Sequence, residues 1–169
     1  VSATDGIGDL GGLIGFCESA NIINCYAEGD VLHSGTIGFD LGGFIGESKY
    51  TSISESHAIG AVNGVRGNIG GFAGKIYGNA STISGCYATG TVTGGTSSLI
   101  DEGVGGFIGW NYYVYINNCH STGNVVGKQS VGGFIGRNSG KLSTCQASGT
   151  VVASANCVGS LVGYNESTG

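Results

Sequence analysis

Apolar residues recur along this 169-residue chain in short runs bounded by glycine, without the 3.6-residue rhythm of an amphipathic helix. An aliphatic residue, Gly-Gly, two apolar residues and Gly appear in that order at residues 10–15, 41–46, 69–74, 104–109 and 131–136, and again at 158–163 with Ser160 replacing the second glycine. The only other variation inside the phrase is in its apolar pair. Successive copies begin 31, 28, 35, 27 and 27 residues apart, the range in which internal repetition signals a solenoid, propeller or array. Between copies lies a second frame: aliphatic, two variable residues, Cys or Ser, a variable residue, a small residue, any residue, Gly, any residue, Val. It reads from Ile22 to Val31, Ile53 to Val62, Ile83 to Val92, Ile116 to Val125 and Leu142 to Val151.

These runs predict about three short strands per turn and no helix. Alternation in the second frame puts Cys25 and Ala27 on one face and Tyr26 and Glu28 on the other, and only the first face stays small in every copy. That face is the inside. A coil of about 27 residues cannot bury its apolar side alone, so its turns must stack as parallel strands. The expected fold is all-β, a single parallel β-solenoid domain over residues 1–169, with about five turns and a partial sixth from residue 158. In the Gly-Gly phrase both the Phe column (Phe44, Phe72, Phe107, Phe134) and its neighbour (Ile45, Ala73, Ile108, Ile135) are apolar, and a regular strand cannot turn both inward. A bend at the glycines that takes Phe inside gains about 2 kcal/mol per ring. The alternative is an exposed aromatic ladder suited to lateral packing.

Composition narrows the partners. Only 10% of residues are charged, there is no proline, and 36 glycines are about three times the usual share. No stretch approaches the 18 apolar residues of a membrane helix. A net charge of −5 disfavours nucleic acid, whose phosphates need clustered Lys and Arg. Residues 1–60 hold eight acids against Lys49, and the rest hold three against Arg66, Lys75, Lys128, Arg137 and Lys141, so the two ends of the stack should differ in charge.

Six cysteines would ordinarily suggest disulfides. Register instead places Cys25, Ser56, Cys86, Cys119 and Cys145 in one inward column, a ladder of small free thiols in the core. A bridge between Cys119 and Cys145 would sit at the short end of disulfide geometry; Cys17 and Cys157 lie off the column. No Cys-x-x-Cys is present, and His57 and His120 should point away from the cysteines, so neither a metal nor a cofactor is expected. The adjacent outward column, Tyr26, His57, Tyr87, His120 and Gln146, has two readings: an aromatic ladder that stacks on itself, or a surface that stacks on sugar rings. Trp110, Tyr112, Tyr113 and Tyr115 are assigned to the loop of the fourth turn, either as ordinary loop packing or as a lateral contact or ligand patch. No catalytic residues are nominated: acids scatter, and the lone adjacent pair, Asp101 and Glu102, falls in a polar insertion. No Gly-x-Ser-x-Gly elbow or phosphate loop is present. Asn79-Ala80-Ser81 and Asn165-Glu166-Ser167 match the glycosylation sequon.

The repeated Gly-Gly-Phe-Ile-Gly followed by Ile-x-x-Cys-Tyr-Ala-x-Gly-x-Val resembles the GLUG repeat over nearly the whole chain. The resemblance implies an extracellular scaffold or adhesive segment without an active site, as in repeat arrays of bacterial surface adhesins and the non-catalytic portion of IgA-specific metallopeptidases. The chain departs from that pattern in its Cys-rich column and in the insertion at residues 96–102.

Val1 aligns with Val31, Val62, Val92, Val125 and Val151, while residues 159–169 begin a further turn. Two copies could therefore join end to end, with Asp5, Asp9, Glu18, Glu28 and Asp30 facing Lys128, Arg137 and Lys141 and with Leu161 on the joint. Such a contact does not close, and gives a filament. The expectation is thus a non-enzymatic extracellular filament subunit, stalk or adhesin segment whose partner is itself or a longer repeat array. The alternative is a carbohydrate-binding module.

Overall fold

The computed structural model describes residues 1–4, 8–95 and 102–166. Among these, regular structure is entirely strand, arranged as five parallel sheets of six, five, six, six and five strands. Each sheet holds one strand segment from every turn, in chain order, so the molecule is a parallel β-solenoid of five turns with a sixth level in three sheets.

The second turn shows the plan: Leu41–Gly42, Ile45–Lys49, Ser52–Ser54, His57–Ala58 and Val62–Gly64. Five segments replace the three expected, because sharp corners divide each run. Two corners carry a left-handed residue, Tyr50 at φ 49° and Glu55 at φ 49°. Register follows the sequence columns. Leu10, Leu41, Ile69, Val104, Val131 and Val158 pair in succession, as do Ile22, Ile53, Ile83, Ile116 and Leu142.

The Gly-Gly phrase resolves its two apolar columns by bending. Phe44 lies in the bend, and its N–H and that of Ile45 both donate to the Phe72 carbonyl, at 2.9 and 3.0 Å. Two residues thus occupy one rung, as in a β-bulge, and both side chains turn inward. Phe44, Phe72, Phe107 and Phe134 are fully buried, as are Ile45, Ala73, Ile108 and Ile135. The phenyl rings stack face to face with centroids 4.7–4.9 Å apart.

The same bend pinches the cross-section. A Cβ on Gly43, Gly71 or Gly133 would stand 3.1–3.2 Å from the Cβ of Ala58, Ala88 or Ala147 across the coil. This waist divides the interior into a lobe built on the Phe, Ile and Cys columns and a smaller lobe of Val31, Leu41, Val62, Ile69 and their equivalents. Each second glycine also lies directly under the carbonyl of its counterpart one turn on: Gly12 under Gly43, Gly43 under Gly71, Gly71 under Gly106, Gly106 under Gly133 and Gly133 under Ser160.

A methyl group at Gly71 would meet both the Gly106 carbonyl and Ala88, so Gly71→Ala should destabilise the fold by about 2–3 kcal/mol. Gly29 has nothing within 4 Å of its added Cβ, and Gly29→Ala should be neutral within about 0.5 kcal/mol. Urea unfolding of the two variants side by side checks both.

Candidate functional site

The inward Cys/Ser column is a capping device. The residue before each member is left-handed: Asn24, Glu55, Gly85, Asn118 and Thr144 have φ of 49–62°. The following side chain closes the corner by donating to the carbonyl two residues back, at 2.8 Å from Ser56 and 3.2–3.4 Å from Cys25, Cys86, Cys119 and Cys145. All six cysteines are free thiols; Cys86 and Cys119 are buried and Cys157 is exposed. Hydrogen bonding with Cys86, together with burial, pushes the Cys119 thiol up, and burial does the same to Cys145.

The outward column lines up at Tyr26, His57, Tyr87, His120 and Gln146. Its rings stack at 5.3, 4.6 and 5.2 Å with planes within 10° of parallel. Rings therefore cover both faces of His57 and Tyr87, while Tyr26 at the start of the row is stacked on one side and 59% exposed.

Trp110 and Tyr112 belong to the strand Ile108–Tyr112 rather than to a loop, and only Tyr113 lies in the corner beyond it. Their strand supplies two further outward rows. In one, Tyr77 stacks on Tyr112 at 5.2 Å with Tyr50 edge-on to Tyr77. In the other, Phe16, Glu47, Lys75, Trp110, Arg137 and Tyr164 follow one another by register. Lys75 Nζ lies 3.3 Å from Glu47 and 5.4 Å from the Trp110 ring centroid. The Arg137 guanidinium sits 4.6 Å from the Trp110 centroid and 5.7 Å from that of Tyr164, and pairs with Glu166. The Ser139 hydroxyl, with Arg137 beside it, holds the Glu166 carboxyl below its ordinary range. Arg137, placed at the end joint by its position in the sequence, is thus 8% exposed and engaged within the stack.

Asp9 and Asp40 face Glu47, with carboxylate oxygens of all three within 4.8 Å of one another. Such a set could hold a cation, but Asp40 accepts from Asn68 at 2.8 Å, and Glu47 pairs with Lys75 and Lys49. Burial, followed by the charges of Asp40 and Glu47, pushes the Asp9 carboxyl up to about 6; burial also raises Asp40. Of the other acids placed at the joint, Glu28 and Asp30 are exposed, Asp30 accepting from the Ala61 N–H at 2.8 Å, and Asp5 lies outside the described residues. Leu161 is half-buried against the larger lobe, and Lys141 is exposed in the strand Lys141–Ser143. Lys128 is half-exposed. Asp101 is outside the described residues, while Glu102 lies 3.6 Å from Arg66.

One array escaped the sequence reading. Asn111 donates to Asn138 at 2.9 Å and Asn138 to Asn165 at 2.8 Å, a ladder beside the large lobe. Asn111 also clamps its own corner, accepting from the Val114 N–H and donating to the Val114 carbonyl, both at 3.1 Å. The signal was present as Gly109-Trp110-Asn111, Gly136-Arg137-Asn138 and Gly163-Tyr164-Asn165. Of the sequon asparagines, Asn165 is in this ladder and Asn79 is exposed on a turn.

What the described residues build is a set of ladders along the axis of the coil. The family model of the GLUG motif matches three times, at residues 6–32, 66–93 and 127–152. The protein is a β-solenoid in which the GLUG motif recurs three times. It is also similar to halomucin of Haloquadratum walsbyi, 34% identical over 178 aligned positions that cover 95% of this chain. The chain spans 2% of the length of that relative.

Two measurements follow. The folded state of Asp9 holds its proton up to a pH near 6, whereas the unfolded chain releases it near 4. Folding therefore binds protons between those values, and stability falls as pH rises from 4 to 6. Asp9→Asn should raise the melting temperature at pH 7 by about 2–4 °C, equivalent to about 1 kcal/mol, with little change at pH 4. In a thiol-reagent assay Cys157 should react at once, and Cys86 and Cys119 only after denaturant is added.

Proposed function

We propose that this chain is a rigid, non-catalytic spacer in an extracellular or cell-surface protein. GLUG repeats and the likeness to halomucin suggest a surface or extracellular repeat protein. The observation that carries the structural role is the turn-to-turn continuity: aromatic, thiol and amide columns all make their contacts along the axis. The function is to hold a fixed length and present a regular surface. The stacked rings of the Tyr26 column are, on this reading, part of the scaffold, since a bound sugar would need a ring face and both faces of His57 and Tyr87 are covered by neighbouring rings.

End-to-end polymerisation is the competing role, and one residue weighs against it. Each second glycine lies where any Cβ would strike the carbonyl of the next turn, and Ser160 carries a Cβ at that place. A further level laid on in the same register, from a second copy or from more chain, would have to shift to clear it, at a cost of about 1–3 kcal/mol.

The test is electron microscopy and light scattering of the purified chain beside Ser160→Gly over a concentration and salt series. The wild type should remain as short rods. Ser160→Gly should shift towards longer rods by end-to-end contact. Ordered filaments of the wild type would overturn the spacer reading in favour of a self-assembling subunit.

A further inference from the structure

In most turns the corner after the long strand takes two residues: Ser19 and Ala20, Tyr50 and Thr51, Tyr113 and Val114. In the third turn it takes four, residues 78–81, and in the fifth the step from Asn138 to Lys141 is one residue shorter than that between their register partners Asn111 and Tyr115. The insertion carries exposed Asn79 and Ala80 outward beneath Tyr113. At the shortened corner a side chain could not be added, because a Cβ on Gly140 would strike the Val114 carbonyl and the Asn111 amide. Between the two irregular corners opens a cleft of about 540 Å³ lined by Asn79, Tyr113, Tyr115, Ser139, Gly140 and Lys141.

The walls define the occupant. Tyr113 and Tyr115 are 44% and 40% exposed. Tyr115 has Thr82 and Lys141 as its register neighbours, so no ring stacks on it in its own column, in contrast to the Tyr26 ladder. Tyr113 is held at φ 66°, a strained conformation for a bulky residue, by a corner that Asn111 clamps from within. Around the rings stand the Asn79 amide and the Lys141 ammonium, while the Ser139 hydroxyl is turned to Glu166; the lining contains no aliphatic side chain. A purely apolar ligand would desolvate these groups without return. A nucleic acid would find one cation. A pyranose offers an apolar ring face to the tyrosines and hydroxyls to the polar groups, and the volume is of ligand-site size. Lys141 makes no ion pair among the described residues and is available for an anionic substituent.

We propose that this cleft is a binding subsite for an acidic sugar of the uronate class, with Tyr113 and Tyr115 against the ring and Lys141 at the carboxylate. The probes are a hexuronate tetrasaccharide and a neutral hexose tetrasaccharide, titrated into the full chain by calorimetry and NMR. The uronate should bind roughly ten-fold tighter than the neutral sugar. Tyr115→Ala should weaken uronate binding by a similar factor. Lys141→Gln should equalise the two sugars while leaving neutral-sugar affinity unchanged, and Tyr26→Ala should leave both unchanged. Circular dichroism confirms that each variant stays folded. Absence of binding to either probe, equal affinity for both in the wild type, or uronate binding indifferent to Tyr115→Ala in a folded protein would overturn the proposal. None of these outcomes bears on the spacer role, which is tested separately by the oligomeric state of the rod.

Discussion

In five successive levels a backbone carbonyl sits over the place where a second glycine lacks its Cβ. A side chain there would lift one turn off the next, and the lift would be felt in all five sheets at once. Parallel pairing tolerates little variation in strand spacing, so this single missing atom governs whether the coil can close on itself. The first glycine performs a second service: its own Cβ would collide with the carbonyl three residues on, as at Gly42 and Ile45. Together the pair lets the chain fold back sharply enough to bring the waist within van der Waals reach of the Ala column opposite.

Once the levels are locked, every column becomes a ladder whose chemistry depends on its depth. Phenyl rings fill the large lobe, thiols and a hydroxyl cap left-handed corners, and asparagines share donors and acceptors along the axis. In the outer rows, planar rings and cations alternate over Trp110. These contacts tie each turn to the next. Where the ladder is irregular, at the long third corner and the short fifth one, the surface acquires a concavity that the regular repeat does not supply.

Much of this was legible in the chain. The columns, the parallel stacking and the inward thiols follow from register alone, because a repeat fixes which residues are neighbours. The number of strands per turn was not legible, because corners at residues such as Tyr50 and Glu55 use left-handed conformations that neither side chain announces. Trp110 was read into a loop, yet register with Lys75 and Arg137 keeps it in a strand. The placement of Arg137 at an end followed from its late position, but sequence position does not reveal that Trp110, Tyr164 and Glu166 enclose it. The asparagine ladder was overlooked because each member sits between residues of different type, so the pattern is visible only by comparing turns. The cleft could not be read at all: it arises from corner lengths, which motif matching treats as gaps.

The interstrand hydrogen bonds of the five sheets all run along one direction, from each turn to the next. Tension applied along that direction at the chain ends loads them unequally, and the outermost turn peels before the one beneath it. Each turn released frees some 27–35 residues, or about 90–120 Å of extended chain at roughly 3.4 Å per residue, from a layer only about 4.8 Å thick. A short stiff rod of this design is therefore also a coiled reserve of length, paid out in steps of one repeat.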